Sequence, residues 1–333
     1  MNEPRKSLAI EAPYEAGRIS RFIADQVIHR FRRRGAVVGL SGGVDSALVA
    51  ALCVKALGPE RVLGLIMPEK ESSQASEPLA MEQAAVLGIL TERVDLTPVL
   101  TALGAYEQKC RVLQGLCPEY DPDTDRTKIT LPPRLLEQDR VNYYSLTVEK
   151  PDGSRHSSRV GPDDLREIAA AQNLKQRNRM IQLYHRAEKL HYVVAGTTNR
   201  SEFVQGFFVK HGDGAVDIEP IAHLYKTQVF ELARHVGVIE AIVQRQPSPD
   251  TWSGGVTDEE FYFRIPYDQL DLLLSAWGEG VPAEEAAREL GLSAAQAARA
   301  FREFEARRRA TWHLRVAPPS LLEPWPQSVM EAT

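Results

Sequence analysis

Cysteine is scarce in this chain: Cys53, Cys110 and Cys117 are the only three in 333 residues, and none forms a C-x-x-C pair. An odd count without paired spacing excludes a disulfide framework and a zinc knuckle, and leaves free thiols. Long apolar runs are missing as well. None approaches the roughly 18 residues of a membrane span, and the opening MNEPRKSLAIEAP is too polar for a signal peptide. The chain therefore reads as cytoplasmic, with no membrane partner. Nor is there a basic excess: 40 Lys and Arg stand against 45 Asp and Glu, a net charge of −5. That balance gives no electrostatic case for nucleic acid as a partner. The one dense basic run, Phe31 followed by Arg32 to Arg34, reads as a solvated helix end complementing the helix dipole.

What is present is an ordinary globular composition, 43% hydrophobic and 26% charged, read as a single domain over residues 1–333. Residues 14–34 carry Ile19, Phe22, Ile23, Val27, Ile28 and Phe31 at helical spacing. AVVGL at 36–40, RVLGLIM at 61–67 and HYVVAGT at 191–197 have the continuous apolar character of strands buried on both faces. Residues 44–57 and 75–88 are helical in length and composition. Alternating strands and helices predict an α/β fold, a doubly wound, Rossmann-like parallel sheet with flanking helices. Between about 105 and 165 the character changes, with Pro118, Pro122, Pro132 and Pro133 and a hairpin turning on Pro151-Asp152-Gly153. This stretch, 106–165, reads as an insertion. Beyond 257 the chain is helical, with Thr257/Glu260 and Ser293/Gln296 as capping boxes and Pro282 suited to a first turn. The tail, 318–333, is Pro-rich and reads as extended.

The chemistry concentrates in Gly39-Leu40-Ser41-Gly42-Gly43-Val44-Asp45-Ser46, a strand-to-helix turn. Backbone N–H groups at a helix N-terminus, approached closely over glycine, suit a phosphate. The loop lacks the Lys of G-x-x-x-x-G-K-[ST], so it is poorly equipped to steady a γ-phosphate in transit. Asp45 inside the anion cradle would repel phosphate unless a divalent cation bridges the two. Cleavage of ATP between the α and β phosphates suits this set: a cradle for pyrophosphate, hydroxyls from Ser41 and Ser46, and a magnesium-bearing carboxylate.

SGGVDS resembles the pyrophosphate loop of the ATP pyrophosphatase family. NLKQRNRM at 173–180, the run from Gly196 to Gln228 and PSPDTW at 247–252 resemble, in order, the signature blocks of NAD synthetases. The resemblance implies ATP and magnesium, and ATP-dependent amidation of nicotinic acid adenine dinucleotide by ammonia, a C–N ligase reaction. It implies that Gly39 to Ser46, Thr197, Lys226 and Ser248 contact ATP, and that Asp45 and Glu202 hold magnesium. Arg177, Lys210, Asp217 and His313 correspond to residues that hold the dinucleotide, and Asp45, Lys226 and Asp217 are the catalytic candidates. A homodimer is implied too. With no amidohydrolase-like domain recognisable, nitrogen is expected as free ammonia or from a separate glutaminase subunit.

Taken singly, these residues have plainer readings. Lys175, Arg177 and Arg179 suit a solvated face at a helix start, Glu202 a surface helix position, and Gly212-Asp213-Gly214 a common turn. The chain also departs from the family: Leu314 follows His313 where relatives have Lys, Ser248 replaces Thr, and Glu219 stands where the position is often apolar. Two rival readings stay open. One is an amide synthetase acting on another carboxylate, with 106–165 shaping its acyl pocket; the other is a nucleotide-binding relative that has lost catalysis.

Overall fold

The structure, a computed structural model, describes residues 8–137 and 142–321. The expected tail beyond Leu321 lies outside the described residues. Among the described residues, seven strands form two sheets: β1 (Ala36–Gly39), β2 (Val62–Ile66), β3 (Leu90–Arg93), β4 (Arg126–Thr130), β5 (Ser145–Glu149), β6 (Arg155–Arg159) and β7 (Val193–Ala195). The larger sheet runs β3-β2-β1-β7 and is parallel throughout, with Ala36 opposite both Val62 and Val193. The strand order reverses at β1, where β2 lies on one side and β7 on the other. In open α/β sheets that reversal opens a crevice at the strands' C-terminal ends.

Alternation along β1 explains the two layers of helices. Ala36 and Val38 pack into a core with α1 (Ala12–Ala24) and α2 (Val44–Leu57), whereas Val37 faces Leu65, Val194, Met180 and Leu183 on the other side. Each Val or Leu buried this way contributes about 1.5–3 kcal/mol. Ten of the 14 residues of α2 are buried, because α1, the sheet and a later helix cover it on several sides. After α3 (Ser76–Leu87), α4 (Thr97–Ala102) and α5 (Ala105–Leu116), the second face is closed by the 29-residue α6 (Pro162–Leu190).

The three apolar strands and both intervening helices fall where the sequence places them. The edge strand β3 was not expected: LTER is short and largely exposed, so it carries no buried-strand pattern. The hairpin forms as β5 and β6, with Gly153 at φ 84° in its turn. It belongs to a three-stranded antiparallel sheet, β4-β5-β6, with α5 packed on α6 beside it. The expected long first helix loosens into a wide-turn segment at Asp25–Arg30, and Phe31 to Arg34 follow it rather than end it.

The C-terminal part comprises α7 (Arg200–Gln205), α8 (Lys226–His235), α9 (Glu240–Val243), α10 (Tyr267–Gly278), α11 (Ala283–Leu290), α12 (Ala294–Ala310) and α13 (Trp312–Arg315). Its core is Phe263, Leu270, Leu273, Leu274 and Phe304. The Ser293/Gln296 capping box forms at α12. Thr257 and Glu260 exchange the reciprocal bonds of a box, both 3.1 Å, but the turn they start, Glu259–Phe263, is a wide one. All three cysteines are free. Among the described residues, no helix is long and apolar enough to cross a membrane.

Candidate active site

A cavity of about 760 Å³ opens where β1, β2 and β7 end, lined by Gly39 to Ser41, Met67 to Glu69 and Gly196 to Thr197. The turn after β1 folds tightly. Ser46 Oγ donates to the Gly43 carbonyl at 3.0 Å, and Gly43 N–H donates to Ser41 Oγ at 3.2 Å. Gly42 sits at φ 72°, and a Cβ there would lie 2.4 Å from the Ser76 carbonyl oxygen at the start of α3. Glycine is therefore needed twice over, for the left-handed backbone and for the close approach. No side chain caps the N-terminus of α2, which leaves that helix end suited to an anion.

Beside the loop lies a buried charge centre. Lys226, the first residue of α8, is 2% exposed; its Nζ lies 2.5 Å from Asp45 Oδ2 and 3.4 Å from Glu202 Oε1. Asn199 caps α7 by accepting from Glu202 N–H at 3.0 Å, and its Nδ2 donates to Asp45 Oδ1 at 2.9 Å. One cap thus orders both carboxylates. Burial alone would lower the Lys226 ammonium, but Asp45 and Glu202 hold its pKa above the usual lysine value. Glu202 is pushed up to about 8, by burial first and by Asp45 and Asp258, against the pull of Lys226. Asp258, buried and raised, accepts from the Tyr267 hydroxyl at 2.9 Å.

Thr197 and Ser248 line the same cavity, together with Asp45, Ser46, Glu202 and Lys226. Arg177, Lys210 and His313 form a separate group outside that lining. Arg177 Nε donates to the Lys210 carbonyl at 3.3 Å, and Lys210 Nζ to the His313 carbonyl at 2.8 Å. Asp217 stands apart from both, because its two carboxylate oxygens accept from Val194 N–H at 2.7 Å and the Tyr184 hydroxyl at 3.1 Å. Glu219 lies behind Gly196, bonded to Thr198, with one buried oxygen unpartnered; burial raises it to about 8.

Two plain readings are corrected. Helix α6 begins at Pro162, so Lys175, Arg177 and Arg179 sit in its middle and not at its start. Lys175 is no solvated residue: it is 2% exposed and bonds Glu69 at 2.9 Å and Glu71 at 2.5 Å. Glu202, likewise, faces the charge centre rather than bulk water. Ile129 and Tyr144, from the 106–165 stretch, reach the cavity wall. Sequence reasoning missed Asn199, Asp258 and Arg245. Asn199-x-x-Glu202 carries a capping signature that was there to be found; Asp258 and Arg245 arrive only through tertiary packing.

A parallel sheet whose glycine- and serine-rich loop meets a buried lysine–carboxylate centre at a topological switch point defines an α/β protein of the ATP pyrophosphatase fold. The sequence profile described as NAD synthase matches residues 15–117 and 122–316, and the chain belongs to that family. The match includes most of the 106–165 stretch. The chain is 44% identical over 311 residues to an NH(3)-dependent NAD(+) synthetase of Mesorhizobium japonicum, covering 93% of this chain and 97% of that one. A namesake from Thermotoga neapolitana is 43% identical over 249 residues, 74% of this chain and 79% of its own. Among solved structures, an NMN synthetase from Francisella tularensis superposes with a TM-score of 0.65 at 23% identity, covering 94% of this chain and 99% of that one. An NH3-dependent NAD synthetase from Campylobacter jejuni does so with 0.62 at 22%, covering 95% and 100%. At such identities the structures establish the shared fold.

Proposed function

We propose that this protein is an ammonia-dependent NAD synthetase, which activates the carboxylate of nicotinic acid adenine dinucleotide with ATP and converts it to the amide with ammonia. The observation that carries the reading is the convergence of Asp45, Glu202 and Lys226 on the Gly39–Ser46 loop, in a member of the NAD synthase family.

The substrate carboxylate attacks the α-phosphorus of ATP, and pyrophosphate leaves toward the loop. Negative charge grows on the phosphoryl oxygens at that step, and the Lys226 ammonium is placed to stabilise it. Backbone N–H groups of the loop and the α2 N-terminus receive the leaving group. Thr197 and Ser248 contact the nucleotide from two other walls. Asp45 and Glu202 are the carboxylates that would hold a magnesium ion: both reach Lys226 Nζ, and with Asp258 three acidic side chains face that single buried ammonium, an acidic excess that a divalent cation would balance. Bound there, magnesium supplies charge neutralisation of the phosphates.

Ammonia then displaces AMP from the acyl adenylate. Arg177, Lys210 and His313 suit the dinucleotide arm that extends beyond the cavity, and a homodimer belongs to the same reading. Asp217 is read as a positioning residue, since both of its carboxylate oxygens are already engaged, by Val194 N–H and the Tyr184 hydroxyl. The nitrogen source is free ammonia or a partner glutaminase, in the cytoplasm.

The test incubates purified protein with ATP, magnesium, ammonium and the deamido dinucleotide, with nicotinic acid mononucleotide as a parallel arm. NAD and AMP formed together support the reading. Amidation of the mononucleotide alone moves the substrate to another carboxylate, with Ile129 and Tyr144 as the specificity wall. ATP binding without pyrophosphate release refutes the enzyme reading.

A further inference from the structure

The charge centre leaves an imbalance that the reaction must meet. Lys226 is engaged by Asp45 and Glu202 at 2.5 and 3.4 Å, so much of its charge is already answered. Pyrophosphate departs with a large negative charge, and the loop offers dipoles but no cation of its own. Arg245, just beyond α9, lines the same cavity. Its Nη1 donates to the Gly42 carbonyl at 3.2 Å and its Nη2 to Ser76 Oγ at 2.9 Å.

Both of those partners are neutral. The carboxylate facing Arg245 is that of Asp250, 3.8 Å away. Asp250 Oδ1 already accepts from Ser73 N–H at 2.9 Å, and Oδ2 from Ser76 Oγ at 2.8 Å. The hydrogen bonds of Arg245 thus go to neutral groups and Asp250 is met only at 3.8 Å, while a guanidinium carries five N–H donors, of which two are used in these bonds. It is tied to the backbone of the phosphate loop itself, on the cavity side.

We propose that Arg245 is a catalytic residue that grips the departing pyrophosphate, acting at the Gly39–Ser46 loop together with Lys226. The inference rests on the adenylation reading and adds a residue to it. As the substrate carboxylate oxygen bonds the α-phosphorus, the bond from that phosphorus to the bridging oxygen breaks. Its electron pair leaves on pyrophosphate, and Arg245 meets the new charge with paired N–H donors. No proton is transferred in this step. Asp250, bonded to the α3 N-terminus, keeps Arg245 facing the cavity before ATP arrives.

The experiment compares Arg245→Gln and Arg245→Lys with the parent protein. Gln retains a donor for the Gly42 carbonyl but loses the charge, so a purely structural role predicts near-parental behaviour. The proposal predicts that Arg245→Gln loses about 10²–10³-fold in kcat for pyrophosphate release with the KM for the dinucleotide unchanged. Inhibition by added inorganic pyrophosphate weakens at least tenfold, Arg245→Lys falls between, and millimolar guanidinium restores part of the loss. Parental kcat together with parental pyrophosphate inhibition in a folded Arg245→Gln overturns it. If the parent itself releases no pyrophosphate, the adenylation reading fails separately. Calorimetric binding of inorganic pyrophosphate to parent and variant then decides the role of Arg245, with equal affinities counting against it.

Discussion

Replacing Gly42 by Ala tests whether the loop's shape, and not its composition alone, makes the phosphate site. Two costs follow from the structure. The left-handed φ of 72° costs an alanine about 1–2 kcal/mol. The added methyl would sit 2.4 Å from the Ser76 carbonyl oxygen, about 1 Å inside ordinary contact; backbone on both sides must move, at about 1–3 kcal/mol. The sum, roughly 2–5 kcal/mol, lowers Tm by roughly 3–7 °C in a chain of this size. Gly88 provides the calibration, since its φ is 67° and no atom lies near its added Cβ. Gly88→Ala carries the conformational cost alone. Because the displaced atoms belong to the proposed phosphate cradle, Gly42→Ala is also expected to lose on the order of 10²-fold in pyrophosphate release, which Gly88→Ala is not. The assays are thermal unfolding and a coupled pyrophosphate measurement. If Gly42→Ala matches Gly88→Ala in both, the close packing of loop and α3 plays no part and the reasoning is wrong.

Asp45→Asn should reduce pyrophosphate release by at least about 10²-fold while the circular dichroism spectrum stays unchanged, because one carboxylate charge goes and little packing does; parental turnover would remove Asp45 from the metal and phosphate site. Lys210→Ala should raise the KM for the dinucleotide with little change in that for ATP, and an effect confined to ATP would contradict its placement outside the cavity. Glu219 supplies the pH dependence. Burial lifts it from 4.5 to about 8, so the folded chain holds a proton that the unfolded chain releases between those values, and this contribution to stability is lost as pH rises through the window. Glu219→Gln should therefore gain on the parent in urea unfolding as pH goes from 5 to 8; parallel curves would show that Glu219 titrates normally.

The legible parts of the sequence are those where a local pattern and the tertiary environment agree. Ala36 to Leu40 and Val62 to Met67 are apolar because the sheet is covered on both faces, and Gly42 and Gly43 announce the turn between β1 and α2. Strand β3 carries no such mark because one edge faces solvent. Strand β4 pairs with β5 across an intervening connection, so only the β5–β6 hairpin had a turn to reveal it. At the site, Asp45 was readable from its place in the loop, and Glu202 and Lys226 from the order of the blocks. Asp258 and Arg245 became visible only when packing brought residues far apart in sequence onto one cavity. Lys175 shows the reverse: its alternation with Arg177 and Arg179 suggested a solvated face, yet Glu69 and Glu71 draw it inside. Buried charge of this kind depends on a partner that local pattern does not contain.

The central claim is that the loop, Asp45, Glu202 and Lys226 turn ATP into a carboxylate-activating reagent. It is tested most directly by measuring pyrophosphate, AMP and NAD together in one reaction of the purified protein with ATP, magnesium, ammonium and the deamido dinucleotide. Formation of the three in equal amounts, with pyrophosphate release dependent on the dinucleotide, is the predicted result. Production of ADP and phosphate, or pyrophosphate release indifferent to any carboxylate, would contradict it.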